Sequence, residues 1–125
     1  MTLTVVDTNV LIDATRGREP ALAFLERAAG DGPIWSSVLV RSELWTGSTR
    51  SEEATIADLL GRIGWQDVTA SIADQAGRLG APYRRSHKLS VVDLVIAATT
   101  LELGGTLATL NVRHYPMFPG LQPPY

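Results

Sequence analysis

The amino-acid sequence predicts an α/β fold with a parallel sheet between helices. Short apolar runs, typical of buried strands, alternate along the chain with longer segments in which apolar residues recur at helical spacing. Apolar residues make up 45% of the chain and charged residues 19%, a balance that excludes a disordered protein. Because no linker-like segment divides the 125 residues, we expect one domain over residues 1–125.

The first strand is predicted at Leu3–Val6, an apolar run that ends at an aspartate. Thr8 or Asn9 can cap the helix that follows, and a glycine closes it. A second helix is predicted over Pro20–Gly30, because proline is tolerated in the first helical turn and apolar residues keep helical spacing after it. The second strand follows at Pro33–Ser36.

Two more helices are predicted before the next strand. Ser36 or Ser37 can cap the first of them, which stops at Gly47. Thr49 followed by Glu52 fits a capping box, and an apolar stripe after it indicates a second amphipathic helix. The chain therefore keeps the alternation of strands and helices that parallel sheets require.

The third strand is predicted at Gly64–Val68, and Thr69 opens the helix after it. The last helix is predicted from Ser90 to Leu103, before a fourth strand at Thr106–Leu110 and an irregular, proline-rich end. Right-handed crossovers place reactive groups beyond the carboxyl ends of such strands. The sequence therefore predicts a site at one edge of the sheet.

Three carboxylates lie in or beside apolar runs, where an unpaired charge is costly. Asp7 directly follows the first strand, Glu43 lies on the helix after the second strand, and Asp93 interrupts the apolar run of the last helix. Such groups must be ion-paired, hydrogen-bonded or bound to a metal. Few basic residues flank these runs, so a bound cation is a natural partner, and oxygen ligands favour Mg²⁺ or Mn²⁺ over zinc.

Each acid also has a purely structural interpretation. Asp7 can act as the N-cap of the helix that follows it. Asp93 stands three residues after Ser90, as in a capping box, and Glu43 can pair on a helix surface with Arg41 or Arg50. Because all three acids lie on or beside apolar faces, we favour a shared site.

Four segments resemble the motifs of the PIN-domain family, in family order and at family-like spacing. They are Asp7–Asp13, Ser42–Gly47, Leu89–Thr99 and Thr109–Tyr115, the last followed by Pro119–Leu121. The C-terminal motif is similar to that of VapC-type toxins, the ribonuclease halves of type II toxin–antitoxin modules. The resemblance spans essentially the whole chain.

This resemblance implies a three-layer α/β/α fold, a central parallel sheet of strand order 3-2-1-4-5 and a metal-dependent ribonuclease site. Asp7, Glu43 and Asp93 would be the catalytic acids. Asp7 and Asp93 are then expected to ligate Mg²⁺ or Mn²⁺, and Glu43 to hold a water of the metal or to act as base for the nucleophile.

The last motif lacks the fourth acid that many family members carry at the position of Asn111 or of His114. Asn111 can still ligate a metal through its carbonyl oxygen. His114 can contact phosphate or pack against Tyr115. Asn9 and Thr109 offer neutral oxygens that can position water or phosphate, or stabilise a turn or cap.

Charge gives only a local indication of nucleic-acid binding. The net charge is −2, so no global positive field attracts RNA. A basic cluster of Arg84, Arg85 and Lys88 lies just before the last helix, and Lys88 is the only lysine of the chain. These side chains can contact an RNA backbone, or they can belong to a solvated loop.

The family resemblance also implies partners: an RNA substrate, a cognate VapB-type antitoxin and a homodimer, giving a heterotetramer or larger complex with the antitoxin. We expect a cytoplasmic protein with no membrane association, since no apolar run reaches the length of a bilayer. A catalytically weakened PIN-like binding module remains the alternative, because the fourth acid is missing. A haloacid-dehalogenase-like phosphatase is disfavoured, because that chemistry needs an aspartate where this chain has Asn9.

Overall fold

The computed structural model describes all 125 residues and contains four strands and six α-helices. The strands are β1 (Thr4–Val6), β2 (Ile34–Ser37), β3 (Gly64–Gln66) and β4 (Thr106–Ala108). The helices are α1 (Thr8–Thr15), α2 (Glu19–Asp31), α3 (Val38–Thr46), α4 (Glu53–Leu60), α5 (Ala70–Gly80) and α6 (Val91–Glu102). No helix combines the length and the apolar character that a membrane crossing needs.

The four strands form one parallel sheet in the order β3-β2-β1-β4. The α/β class and the first four places of the predicted order are confirmed, but the fifth strand is absent. Val112–His114 forms a short 3₁₀ helix instead. Four prolines interrupt the segment after it: Pro116, Pro119, Pro123 and Pro124. Because proline has no N–H to donate to a strand ladder, this segment is poorly suited to pair with the sheet.

β4 ends two residues earlier than predicted, because side chains take over the backbone hydrogen bonds. The N–H of Leu110 donates to Oδ1 of Asn9 (3.0 Å), and the N–H of Asn111 donates to Oγ1 of Thr109 (3.0 Å). The chain therefore turns away from the sheet after Ala108. This turn brings the C-terminal motif to the start of α1.

Both faces of the sheet are covered. Val5 and Val6 are consecutive in β1 and so point to opposite faces, yet both are fully buried. Helix α6 packs against β1, β2 and β4, and its segment Val95–Thr100 is entirely buried. Helix α5 packs in turn on α6. Because β1 pairs directly with β4, the carboxyl ends of both strands lie side by side, and the polar residues of the first and last motifs converge there.

Side chains cap three helices where the sequence predicts a cap. The hydroxyl of Ser37 accepts a hydrogen bond from α3, that of Thr69 from α5 and that of Ser90 from α6. Thr49 and Glu52 form the predicted capping box, which encloses a 3₁₀ turn ahead of α4. Ser37 and Ser90 therefore mark the starts of α3 and α6, the helices that carry Glu43 and Asp93.

Candidate active site

Asp7 lies between β1 and α1 with only 4% of its surface exposed. Its Oδ1 accepts a hydrogen bond of 2.7 Å from the N–H of Thr8, so Asp7 is the N-cap of α1. Thr8 and Asn9, the caps expected from the sequence, already lie inside the helix. The other carboxylate oxygen of Asp7, Oδ2, accepts hydrogen bonds from the hydroxyls of Thr109 (2.7 Å) and Tyr115 (2.9 Å). These contacts fix the orientation of the carboxylate.

Asn9 and Thr109 form a second layer behind Asp7. The amide of Asn9 donates to Oγ1 of Thr109 (3.3 Å) and, over a longer distance of 3.4 Å, to Oδ2 of Asp7. Thr109 is fully buried, and its hydroxyl is also the acceptor for the N–H of Asn111. Of the two roles expected for Thr109, these contacts favour the structural one, because its hydroxyl is already hydrogen-bonded and is not exposed to solvent. Thr109 orients the carboxylate of Asp7 instead.

Tyr115 is a site residue that the sequence argument did not single out. Its side chain is 1% exposed and stacks near Phe118, with ring centroids 6.4 Å apart. Burial, followed by the negative charges of Asp7 and Asp93, raises the pKa of Tyr115 well above its usual value. The phenol therefore stays protonated and donates to Asp7. The sequence signal for this role was the position of Tyr115 at the end of the last motif.

Glu43 reaches the site from α3. Its Oε1 accepts a hydrogen bond of 2.5 Å from the hydroxyl of Thr8. The alternative pair with an arginine is not formed: the guanidinium of Arg41 lies over the ring of Trp65, 5.1 Å from its centroid. Thr8 was not predicted as a site residue, although it follows Asp7 in the first motif.

Asp93 stands in the first turn of α6 and is partly buried. Its N–H donates to the hydroxyl of Ser90 (3.0 Å), but its carboxylate does not complete the capping box. Instead, Oδ2 of Asp93 lies 3.2 Å from Nδ1 of His114. His114 thus faces an acid of the site, rather than the packing position beside Tyr115 that one interpretation of the sequence gave it.

These groups line one open cleft of about 390 Å³. Of the residues expected at the site, the structure brings six to this cleft: Asp7, Asn9, Glu43, Lys88, Asp93 and Asn111. Thr109 lies behind it, Arg84 lines a neighbouring cavity, and Arg85 is exposed outside both. The cleft therefore combines three carboxylates with amide and hydroxyl oxygens, a donor set of hard oxygen atoms.

Comparison with known proteins defines the class of this protein. The sequence profile of the PIN domain matches residues 4–116. The chain therefore belongs to the PIN-domain family. It is 42% identical to ribonuclease VapC19 of Mycobacterium tuberculosis, over 97% of this chain and 98% of that protein. It is 41% identical to ribonuclease VapC10 of the same organism, over 97% and 92% of the two chains.

Solved structures agree on the fold. A chain of a toxin–antitoxin complex from Klebsiella pneumoniae is 26% identical and superposes with a TM-score of 0.79, each chain being covered to 98%. A chain of VapBC2 from Rickettsia felis, bound to a DNA fragment from the promoter, superposes with a TM-score of 0.82 over 96% of each chain at 23% identity. The latter likeness establishes the shared fold.

Proposed function

We propose that this protein is a metal-dependent endoribonuclease that acts as the toxin of a toxin–antitoxin pair. The convergence of Asp7, Glu43 and Asp93 on one cleft carries the proposal. The two relatives named above are both ribonucleases, and they align with nearly the whole chain. As its substrate is RNA, we place its action in the cytoplasm.

The donor set of the cleft fits Mg²⁺ or Mn²⁺. Oδ1 of Asp7 accepts a single hydrogen bond, and Oδ1 of Asp93 accepts none, so each keeps a lone pair for a cation. No three acidic or histidine side chains are spaced to enclose a metal by themselves. Mg²⁺ does not need such a cage, because it usually binds through one or two carboxylates together with substrate phosphates. Asp7 and Asp93 would hold the ion, and Asn111 lies beside them in the cleft.

When bound, the divalent ion supplies charge neutralisation for the phosphodiester and favours ionisation of a water molecule. The hydroxyl of Thr8 holds one oxygen of Glu43 and leaves the other free to accept a proton from the attacking water. Thr109 and Tyr115 keep the carboxylate of Asp7 in place during the reaction. The ammonium of Lys88 lines the cleft and can contact a phosphate oxygen.

The test compares the wild type with Asp7→Asn and Asp93→Asn on a mixed RNA pool. We expect both variants to keep the fold by circular dichroism and to lose cleavage, because each removes a charge that the cation neutralises. Mn²⁺ should raise the melting temperature of the wild type and raise that of the variants little. Asp93→Asn is the cleaner variant, since Asp7 also caps α1.

Two results would contradict this proposal. Undiminished cleavage in the presence of a chelator would exclude the metal. Tight RNA binding without cleavage, at saturating Mg²⁺ or Mn²⁺, would instead favour the catalytically weakened binding module.

The partner in this proposal is a VapB-type antitoxin with an amphipathic, basic segment. An apolar groove of about 560 Å³ runs between α1, α2 and α4, and Leu22 in it is 42% exposed. Asp58 in this groove pairs with Arg62 at 3.1 Å, so Glu26 is the acid left to complement a basic residue of an otherwise apolar segment. A toxin–antitoxin complex is the source of one similar chain, at 26% identity. We propose that a homodimer of this chain binds such segments, giving a heterotetramer or larger complex.

A further inference from the structure

A second cavity, of about 430 Å³, lies next to the acidic cleft. It is bounded by the end of α5, the turn that follows and the start of α6. Its lining includes Tyr83, Arg84, His87, Lys88 and Leu94. Its volume falls within the roughly 300–1,000 Å³ of small-ligand pockets.

The charge of this cavity is opposite to that of the cleft. The cleft contains three carboxylates and therefore repels an RNA phosphate until a cation is bound. The second cavity contains Arg84 and Lys88, and no carboxylate lines it. Arginines at two other cavities are matched by acids, since Arg16 pairs with Glu52 at 3.6 Å and Arg62 with Asp58 at 3.1 Å. Next to the cleft, this cavity is therefore a pocket whose charge favours a polyanion.

The backbone holds these groups in a compact turn. The carbonyl of Tyr83 accepts hydrogen bonds from the N–H groups of Ser86 (3.1 Å) and His87 (2.9 Å). The rings of Tyr83 and His87 meet edge to face, with centroids 5.4 Å apart. One Nη of Arg84 donates to the carbonyl of Ala81 (3.2 Å), which fixes the guanidinium and leaves most of its donors free. The cavity is thus built before any ligand binds.

Lys88 lines both cavities and so connects them. A strand whose phosphate lies at Asp7 and Asp93 can continue past Lys88 into the second cavity. There it meets a cation for the next phosphate and an aromatic and aliphatic wall, formed by Tyr83 and Leu94, for a base.

We propose that this cavity binds the nucleotide next to the scissile phosphate of single-stranded RNA. Arg84 and Lys88 contact its phosphate, and Tyr83 contacts its base. Stacking on an aromatic ring requires an unpaired base, so the substrate is a loop or another unpaired stretch. This inference rests on the proposed ribonuclease function.

The experiment measures binding of a fluorescent single-stranded oligoribonucleotide by anisotropy, in chelator and over a salt series. Arg84→Ala should weaken binding about tenfold and reduce the salt slope by about 0.7, as expected for one phosphate contact to a single strand. Tyr83→Ala should weaken binding about tenfold without changing the slope, and Tyr83→Phe should restore it. Arg27→Ala removes the same charge from an exposed position on α2, outside both cavities, and should change binding less than twofold.

Binding and cleavage separate the two proposals. Failure of the wild type to cleave RNA with Mn²⁺ would contradict the ribonuclease function, whereas the binding measurement needs no cleavage. If the wild type cleaves but Arg84→Ala and Tyr83→Ala bind RNA as tightly as Arg27→Ala, the nucleotide site is wrong and the ribonuclease function stands. Binding of poly-glutamate is measured in the same way. If Arg84→Ala and Tyr83→Ala weaken it as much as they weaken RNA binding, the cavity binds an acidic protein segment and the inference is overturned.

Discussion

Asp7 combines two tasks that usually fall to different residues. It caps α1, because its Oδ1 accepts a hydrogen bond from the N–H of Thr8, and it is also a proposed ligand of the cation. Its Oδ2 accepts hydrogen bonds from the hydroxyls of Thr109 and Tyr115. Each oxygen thus has at least one fixed donor, which compensates for burial of the carboxylate. The same hydrogen bonds restrict rotation of the Asp7 carboxylate, so its oxygens are already oriented before a cation binds. Preorganisation of this kind removes the cost of ordering the ligand.

Replacing Tyr115 by phenylalanine tests the buried phenol. Tyr115→Phe removes one hydrogen bond to Asp7 and should lower the free energy of unfolding at pH 8 by about 1 kcal/mol. The raised pKa of Tyr115 adds a pH dependence: above about pH 10 the unfolded tyrosine ionises while the folded one keeps its proton. The wild type should therefore lose stability with rising pH by about 1.4 kcal/mol per unit more than the variant does.

Urea unfolding of both proteins between pH 8 and pH 11 measures this difference. The advantage of the wild type should be constant below pH 10 and shrink above it. Parallel curves over the whole range would mean that the phenol is accessible to water and does not hold Asp7.

A second substitution tests whether Asn111 faces the cation. Asn111 lines the cleft together with Asp7 and Asp93. Asn111→Asp adds a negative charge and should tighten Mn²⁺ binding in the absence of RNA, whereas Asn111→Ala should weaken it less than Asp7→Asn does. Isothermal titration calorimetry with Mn²⁺ measures the affinity of each of these variants. Unchanged affinity of Asn111→Asp would confine Asn111 to the turn after β4.

The sequence revealed the acids of the site more readily than the groups that hold them. Asp7, Glu43 and Asp93 stood out because a carboxylate beside an apolar run needs a partner. Thr109 and Tyr115 were harder to assign, because a threonine or tyrosine near a strand end is compatible with many environments. Their bonds to Asp7 join residues 102 and 108 positions apart. Only the folded chain brings such residues together.

Helix and strand boundaries were likewise predictable where they depend on adjacent residues and not where they depend on residues far away in the sequence. Caps at Ser37, Thr69 and Ser90 were predictable, since a cap depends on a few adjacent residues. The end of β4 was not, because it depends on the side chain of Asn9, far away in the sequence. The fifth strand was expected from family resemblance alone, and the prolines of this particular C-terminal segment oppose it.

Helix α5 contains a glycine whose removal should stabilise the protein. Gly77 lies inside the helix, and a Cβ placed there meets no atom within 4 Å. Gly77→Ala should therefore raise the free energy of unfolding by about 0.5–1 kcal/mol, through helix propensity alone. Gly64→Ala is the matched control, because a Cβ at the start of β3 collides with the indole of Trp35 and should destabilise the fold. Urea denaturation compares the two, and equal effects would contradict the packing described for β3.

At the scale of the whole molecule, the homodimer proposed above needs an exposed apolar contact near the acidic cleft. Val91, the first residue of α6, is 73% exposed, and it stands two residues before Asp93. A two-fold interface that buried Val91 would set the acidic clefts of both copies close to one shared groove. A long RNA could then contact both basic cavities, although each chain carries a net charge of −2.

Val91→Glu should therefore convert the proposed dimer into a monomer, because it places a charge in an apolar contact. Light scattering at about tens of micromolar, a concentration at which an obligate dimer stays associated, measures the mass. Leu101→Glu, on the same helix and 45% exposed before substitution, is the control and should leave the dimer intact. A monomeric wild type would contradict the dimer itself. A dimer that persists in Val91→Glu would move the interface to another face, and the two clefts would no longer be expected to share one groove.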